Sequence, residues 1–181
     1  MRYASIRNLD ISNGKGIGVS IFVQGCDKNP HCKNCFNPET WNFKGGKEWT
    51  DEIKSYFLSL IKRPYIKRVS ILGGEPLSHN NLHGIYNLIN EIHQKYPNKT
   101  IWLYTGYTLS DCDFHYINGM MLNGDEDVWW YGIIHSCDVI VDGEYIEELR
   151  DVTLPFRGSS NQRIIDVKRS LQESKLVEFK V

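Results

Sequence analysis

The chain has 181 residues, 41% of them hydrophobic and 24% charged, with 21 Lys and Arg against 22 Asp and Glu. That composition fits one globular domain over residues 1–181, and its balanced charge offers no bulk field for nucleic acid or an anionic membrane. The opening MRYASIRNLD lacks the apolar centre of a secretory signal, and no run of about 18 apolar residues offers a membrane span, so a cytoplasmic protein is expected.

Residues 3–11 and 16–23 read as strands on either side of Ser12-Asn13-Gly14-Lys15, where Asn-Gly signals a turn. The second strand runs into VQGCDKNPHCKNCFNPETW, and residues 40–49 form a glycine-containing connection. Thr50 is placed to cap a helix that begins Asp51-Glu52, and Ile53, Phe57, Leu60 and Ile61 recur at helical spacing until Pro64 stops it. Residues 67–72 form a strand closed by Gly73-Gly74. A second helix fits 81–96, with Leu82, Ile85, Ile89 and Ile92 as its buried stripe. Strands follow at 100–104, ending in Thr105-Gly106, at 137–141, entering Asp142-Gly143, and at 162–167. Strands alternating with amphipathic helices predict an α/β fold with a largely parallel sheet. The basic pairs Lys62-Arg63 and Lys67-Arg68 read as solvated edges. Residues 110–131 show no clean period; they read as an elaborated helix and loop, or as a docking surface if Trp129 and Trp130 are exposed.

Parallel α/β sheets place their ligand sites at the carboxyl ends of the strands. The cysteine loop, Gly-Gly-Glu-Pro, Thr-Gly-Tyr and Asp-Gly each follow a strand, so all four fall on one rim. Five cysteines with three clustered do not form a secreted disulfide framework; in a reducing compartment the cluster reads as a metal site. Cys26, Cys32 and Cys35 suit either zinc or an iron–sulfur cluster, and the cysteines alone leave both open. Three thiolates on a four-iron cluster leave one iron free for a substrate. A structural zinc site needs a fourth ligand, for which His31 and Cys112 are candidates, whereas Cys137 precedes its strand and belongs to the opposite rim. His79, His83 and His93 read as solvent-facing or capping groups.

Taken in order, GCDKNPHCKNCFNPETW, SILGGEP, LYTGY, DVIVDGEY and FRGSSNQRIIDV resemble the radical S-adenosylmethionine (SAM) enzymes, and within them the family of anaerobic ribonucleotide reductase activating proteins. The likeness spans most of the chain. One departure is the five residues between Cys26 and Cys32, where the superfamily usually has three. The resemblance implies a partial (β/α) barrel of radical SAM type, in keeping with a chain shorter than the about 250 residues of an eight-unit barrel. It implies a [4Fe–4S] cluster on Cys26, Cys32 and Cys35, with SAM chelating the open iron. Asn34 and Phe36 would contact SAM, with the Phe36 ring near its adenine. Gly73 and Gly74 would admit the methionyl part and Glu75 would hold the amino group. Thr105 and Asp142 are further SAM contacts, and Arg157, Ser159 and Ser160 would touch either SAM or a partner. The implied partners are the large, glycyl-radical subunit of anaerobic ribonucleotide reductase and a reduced flavodoxin-type electron donor. The alternatives are another radical SAM enzyme, such as a pyruvate formate-lyase activase, and a non-enzymatic zinc module.

Overall fold

The computed structural model describes residues 1–115 and 124–181. Its strands are β1 (Arg2–Asp10), β2 (Gly18–Val23), β3 (Lys47–Glu48), β4 (Arg68–Gly73), β5 (Thr100–Tyr104), β6 (Val139–Asp142) and β7 (Arg163–Asp166). The helices are α1 (Asp51–Ile61), α2 (His79–Lys95), α3 (Asp125–Ser136) and α4 (Val167–Glu173). All seven strands form one sheet in the order β3-β1-β2-β4-β5-β6-β7. The middle four, β2, β4, β5 and β6, are parallel, while β1, β3 and β7 pair antiparallel at the edges.

The helices start and stop where local chemistry directs. Thr50 accepts a hydrogen bond from the Ile53 amide, and Asp51 and Glu52 occupy the first turn of α1, where the exposed amides favour negative charge. Helix α2 begins two residues before the expected start and buries Leu82, Ile85, Leu88, Ile89 and Ile92. Two elements were not legible in the sequence, and a third only as an elaborated helix and loop. β3 is only two residues long, α4 follows β7 without a loop, and α3 has almost no amphipathic contrast because tryptophans and acids share its surface.

Alternation along the strands gives the sheet two unlike faces. Val19, Ile21, Val23, Val69, Ile71 and their neighbours join residues of all four helices in the main core. The opposite face carries Ser20, Phe22, Arg68, Ser70, Leu72 and Tyr104 by the same parity. A smaller cluster lies there, Trp102, Val139, Val141 and Ile164, covered by Phe156 and Phe179 rather than by any helix.

Arg68 departs from the solvated-edge expectation, since it is fully buried on this second face. Its guanidinium lies 3.5 Å from the Asp10 carboxylate and donates to the Asp10 carbonyl at 2.8 Å. Burial pushes the Asp10 carboxyl up, but hydrogen bonds from Ser20, Asn13 and Ser12 outweigh it and hold the group at about 2. The pairing explains the burial: a β1–β2 turn folded under the sheet needs a cation to satisfy its carbonyls. Trp129 and Trp130 are half-buried rather than presented to solvent. Trp129 packs on His83 at 4.8 Å, and Trp130 packs on Tyr107 at 5.5 Å while donating to Asp113. The rest of the proposed docking segment, residues 116–123, lies outside the described residues. Among the described residues no helix is long and apolar enough to cross a membrane.

Candidate functional site

A cavity of about 490 Å³ opens on the helix-free face and reaches the carboxyl rim of the parallel strands. Cys26, Cys32, Cys35, Gly73, Gly74 and Glu75 all line it, so the topology brings together stretches up to 49 residues apart in sequence. Phe36 and Thr105 also reach the wall; Asn34 and Asp142 do not.

The cysteine loop is closed at its base by two backbone bonds, Gly25 N to Thr40 O at 2.7 Å and Cys26 N to Trp41 O at 3.0 Å. Gln24 braces that base by donating to the carbonyls of Glu39 and Asn42. The additional residues of the five-residue spacing are tied across the rim: Tyr107 donates to Asp27 at 3.0 Å, and Lys28 lies 3.6 Å from Glu144. His31 stacks on Trp41, ring centroids 4.2 Å apart, and its Nε2 donates to the Cys26 carbonyl at 3.3 Å. That ring is therefore employed in shaping the loop. Cys112 is exposed off the cavity, and Cys137 is buried in the main core at the foot of β6, as its position before the strand implies. Neither His31 nor Cys112 closes the cysteine set.

All five cysteines are free thiols. Burial pushes Cys26 up to about 11 and raises Cys32, so a metal that takes these sulfurs as thiolates displaces protons from them. Among the described residues no three of His, Cys, Asp and Glu converge tightly enough to hold a single metal ion. A mononuclear zinc needs its ligands within about 2.3 Å of one point. The thiolates of a polynuclear cluster each take a different iron and have no such need. Three free thiols on one loop, at the wall of a cavity with space beside them, fit a cluster with an open iron.

The glycines have a cause that the sequence did not reveal. A Cβ on Gly74 would lie 2.2 Å from the Gly25 carbonyl oxygen, and one on Gly73, at φ +120°, would lie 2.5 Å from the Val23 nitrogen. Here the exits of β2 and β4 touch backbone to backbone, with Glu75 N donating to Gly25 O at 2.7 Å. Asn81, buried on α2, ties the same two exits by donating to the carbonyls of Gln24 and Glu75. Its only sequence signal was a polar residue beside the apolar stripe.

Glu75 is buried, and among the described residues no cation pairs with it. Its carboxylate accepts from Leu77 N at 2.9 Å, Thr105 Oγ1 at 2.7 Å and Gly106 N at 2.7 Å. Burial outweighs these bonds and pushes the carboxyl up to about 7. Thr105 thus orients Glu75, and it also accepts from Tyr107 N. Asp142 is a strut behind the wall: it is fully buried, pairs with Arg163, and accepts from Leu109 N at 2.8 Å. Of the late serines, Ser159 is buried and accepts from Ile146 N, and Ser160 is exposed with its amide bonded to Leu149 O. Arg157 lines the cavity and donates to the Gln162 carbonyl.

A cysteine triad on a cavity rim, with a carboxylate and a glycine cradle facing it, defines the class as an iron–sulfur protein with one cluster. The family described as "4Fe-4S single cluster domain" matches residues 12–165. The chain is also 34% identical over 166 residues to the anaerobic ribonucleoside-triphosphate reductase-activating protein of Vibrio cholerae, covering 91% of this chain and 97% of that one. The like-named protein of Escherichia coli K12 is 32% identical over 90% of this chain and 96% of its own, and that of Enterobacteria phage T4 is 34% identical over 91% and 93%. The chain belongs to the family of anaerobic ribonucleoside-triphosphate reductase-activating proteins.

Proposed function

We propose that this protein activates an anaerobic ribonucleotide reductase, using one [4Fe–4S] cluster and SAM to place a glycyl radical on the reductase's large subunit. The observation that carries the reading is the meeting of Cys26, Cys32 and Cys35 with Gly73, Gly74 and Glu75 on one cavity wall. When bound, the cluster and SAM would supply one-electron chemistry: reductive cleavage of SAM to methionine and a 5′-deoxyadenosyl radical able to take a hydrogen atom from a glycine. The chain's own residues bind, orient and exclude water. Cys26, Cys32 and Cys35 would hold the cluster as thiolates. Glu75, kept in place by Thr105 and the Gly106 amide, would receive the SAM amino group, and Gly73 and Gly74 would admit the methionyl part. Phe36, 59% exposed at the cavity mouth, offers its ring to the adenine. Asp142 and Asn34 act outside the wall, the first by fixing Arg163 and the second by turning the loop at φ 54° between Lys33 and Cys35.

The sheet is read as a partial (β/α) barrel within a single domain. Its helices lie on one face, its cavity on the other, and its open edge would admit the glycine-bearing segment of the partner. A reduced flavodoxin-type protein as electron donor and a cytoplasmic setting complete the reading. The test is anaerobic iron–sulfide reconstitution followed by dithionite and SAM, scoring 5′-deoxyadenosine, and then electron paramagnetic resonance of the large subunit for a glycyl radical. Reconstituted protein that cleaves no SAM would refute it.

A further inference from the structure

Nothing in the run RGSSNQR separates Gln162 from its polar neighbours. In the fold it holds that whole segment. Its Oε1 accepts from Gly158 N at 2.9 Å and Ser159 N at 3.2 Å, its Nε2 donates to the Gly143 carbonyl at 3.0 Å, and its own carbonyl accepts from Arg157 Nη1 at 2.8 Å. One side chain therefore joins the late loop to the exit of β6. An amide is needed for this, because it accepts at one end and donates at the other; a carboxylate of the same shape has no proton for Gly143.

The loop held in this way meets the cysteine loop at Gly158. A Cβ on Gly158 would stand 2.7 Å from Cε2 of Phe36 and 3.1 Å from Cδ2 of Tyr145. The Phe36 and Tyr145 rings sit 4.7 Å apart, tilted by 53°. Gly158 and Tyr145 thus form a shelf under the Phe36 ring, which follows Cys35 directly. Phe156, two residues before Gly158, has the left-handed φ of 57°, a strained backbone that persists only where its surroundings hold it. The Trp102 ring, 5.3 Å away edge to face, holds Phe156 from one side, and the Gln162 bonds fix the residues that follow it.

We propose that Gln162 is a positioning residue for bound SAM, acting through Gly158 to set the angle at which Phe36 meets the adenine. This rests on the functional reading above. The experiment measures SAM affinity by anaerobic equilibrium dialysis on reconstituted, unreduced protein, where no turnover occurs, alongside the resonance spectrum of the reduced cluster with SAM. Gln162→Leu keeps the volume and removes all four side-chain bonds, the one from Ser159 Oγ at 3.5 Å included; Gly158→Ala keeps every Gln162 bond and displaces only the Phe36 shelf. Each is expected to weaken SAM binding about tenfold, the scale of one base–aromatic stack, and to alter the SAM-dependent change in the cluster spectrum. Gly158→Ala should do so with unchanged iron content and thermal midpoint, which a purely structural role would not predict. In a Phe36→Ala background Gly158→Ala should have no further effect on affinity, since the residue it acts through is gone. Wild-type protein that binds no SAM would overturn the functional reading and this inference together. Wild-type binding left unchanged by Gly158→Ala, or additive losses in the double variant, would overturn this inference alone.

Discussion

Glu75 offers the most direct quantitative test of the site. Its carboxyl is buried among three hydrogen-bond donors, with no cation paired to it among the described residues, and burial pushes it up to about 7 from 4.5. The unfolded chain releases this proton near 4.5, while the folded chain keeps it until about 7. The folded state therefore binds more protons in that interval, and its stability falls as pH rises. The stability is fully present below 4.5 and is lost by the time pH passes through 7. A shift of that size corresponds to about 3 kcal/mol, at about 1.4 kcal/mol per pH unit. Glu75→Gln removes the titration. It also sets an amide N–H₂ against the Gly106 donor, which lowers stability by a constant amount of about 1–3 kcal/mol. The measurement is urea unfolding of the cluster-free protein at a series of pH values across this range. The expected result is a wild-type curve that falls by about 3 kcal/mol relative to the variant's curve. Parallel curves would refute the assignment of this carboxyl as a buried, uncompensated acid.

Replacing Cys26, Cys32 or Cys35 with Ala should each abolish cluster assembly and 5′-deoxyadenosine formation, read by iron analysis and product assay, whereas Cys112→Ala and Cys137→Ala should retain both. His31→Ala should keep full iron content, because the ring serves Trp41 and the Cys26 carbonyl; loss of the cluster would make it a ligand. Thr105→Val removes one donor to Glu75 and should move the midpoint of the pH–stability curve upward; an unmoved midpoint would show that the hydroxyl has no influence on the carboxylate. Asp142→Asn should lower the thermal midpoint, since it leaves Arg163 with a weakened partner at a cost of about 3 kcal/mol, with a smaller change in SAM affinity; the reverse pattern would put Asp142 in direct contact with SAM.

The central strands and the first two helices were legible because burial on a parallel sheet imposes apolar runs and helical stripes that local sequence records. The middle of the sheet repays that reading: β4 and β5 lie within a residue of their expected limits, and α1 starts where Thr50 and its following acids place it. What failed locally failed for physical reasons. A two-residue edge strand has no period, and the pattern of α3 is blurred because its tryptophans pack sideways on His83 and Tyr107. Arg68 reads as a surface charge until the turn that it serves is folded beneath it.

The sequence by itself determined the chemistry available: three cysteines spaced for one loop, a glycine pair before a glutamate, and a strand ahead of each. Spacing along the chain carries that information because a strand's exit is fixed by where its apolar run ends. Only the tertiary structure decided what each group does there. It made the glycines a consequence of two backbones in contact, turned Asp142 into a strut and Thr105 into the support of Glu75, and gave His31 to Trp41. It also raised Gln162 from an unremarked amide to the residue that joins two loops. The assignments of His31, Thr105, Asp142 and Gln162 depend on partners 10 to 30 residues away, and no local pattern encodes which atoms will meet.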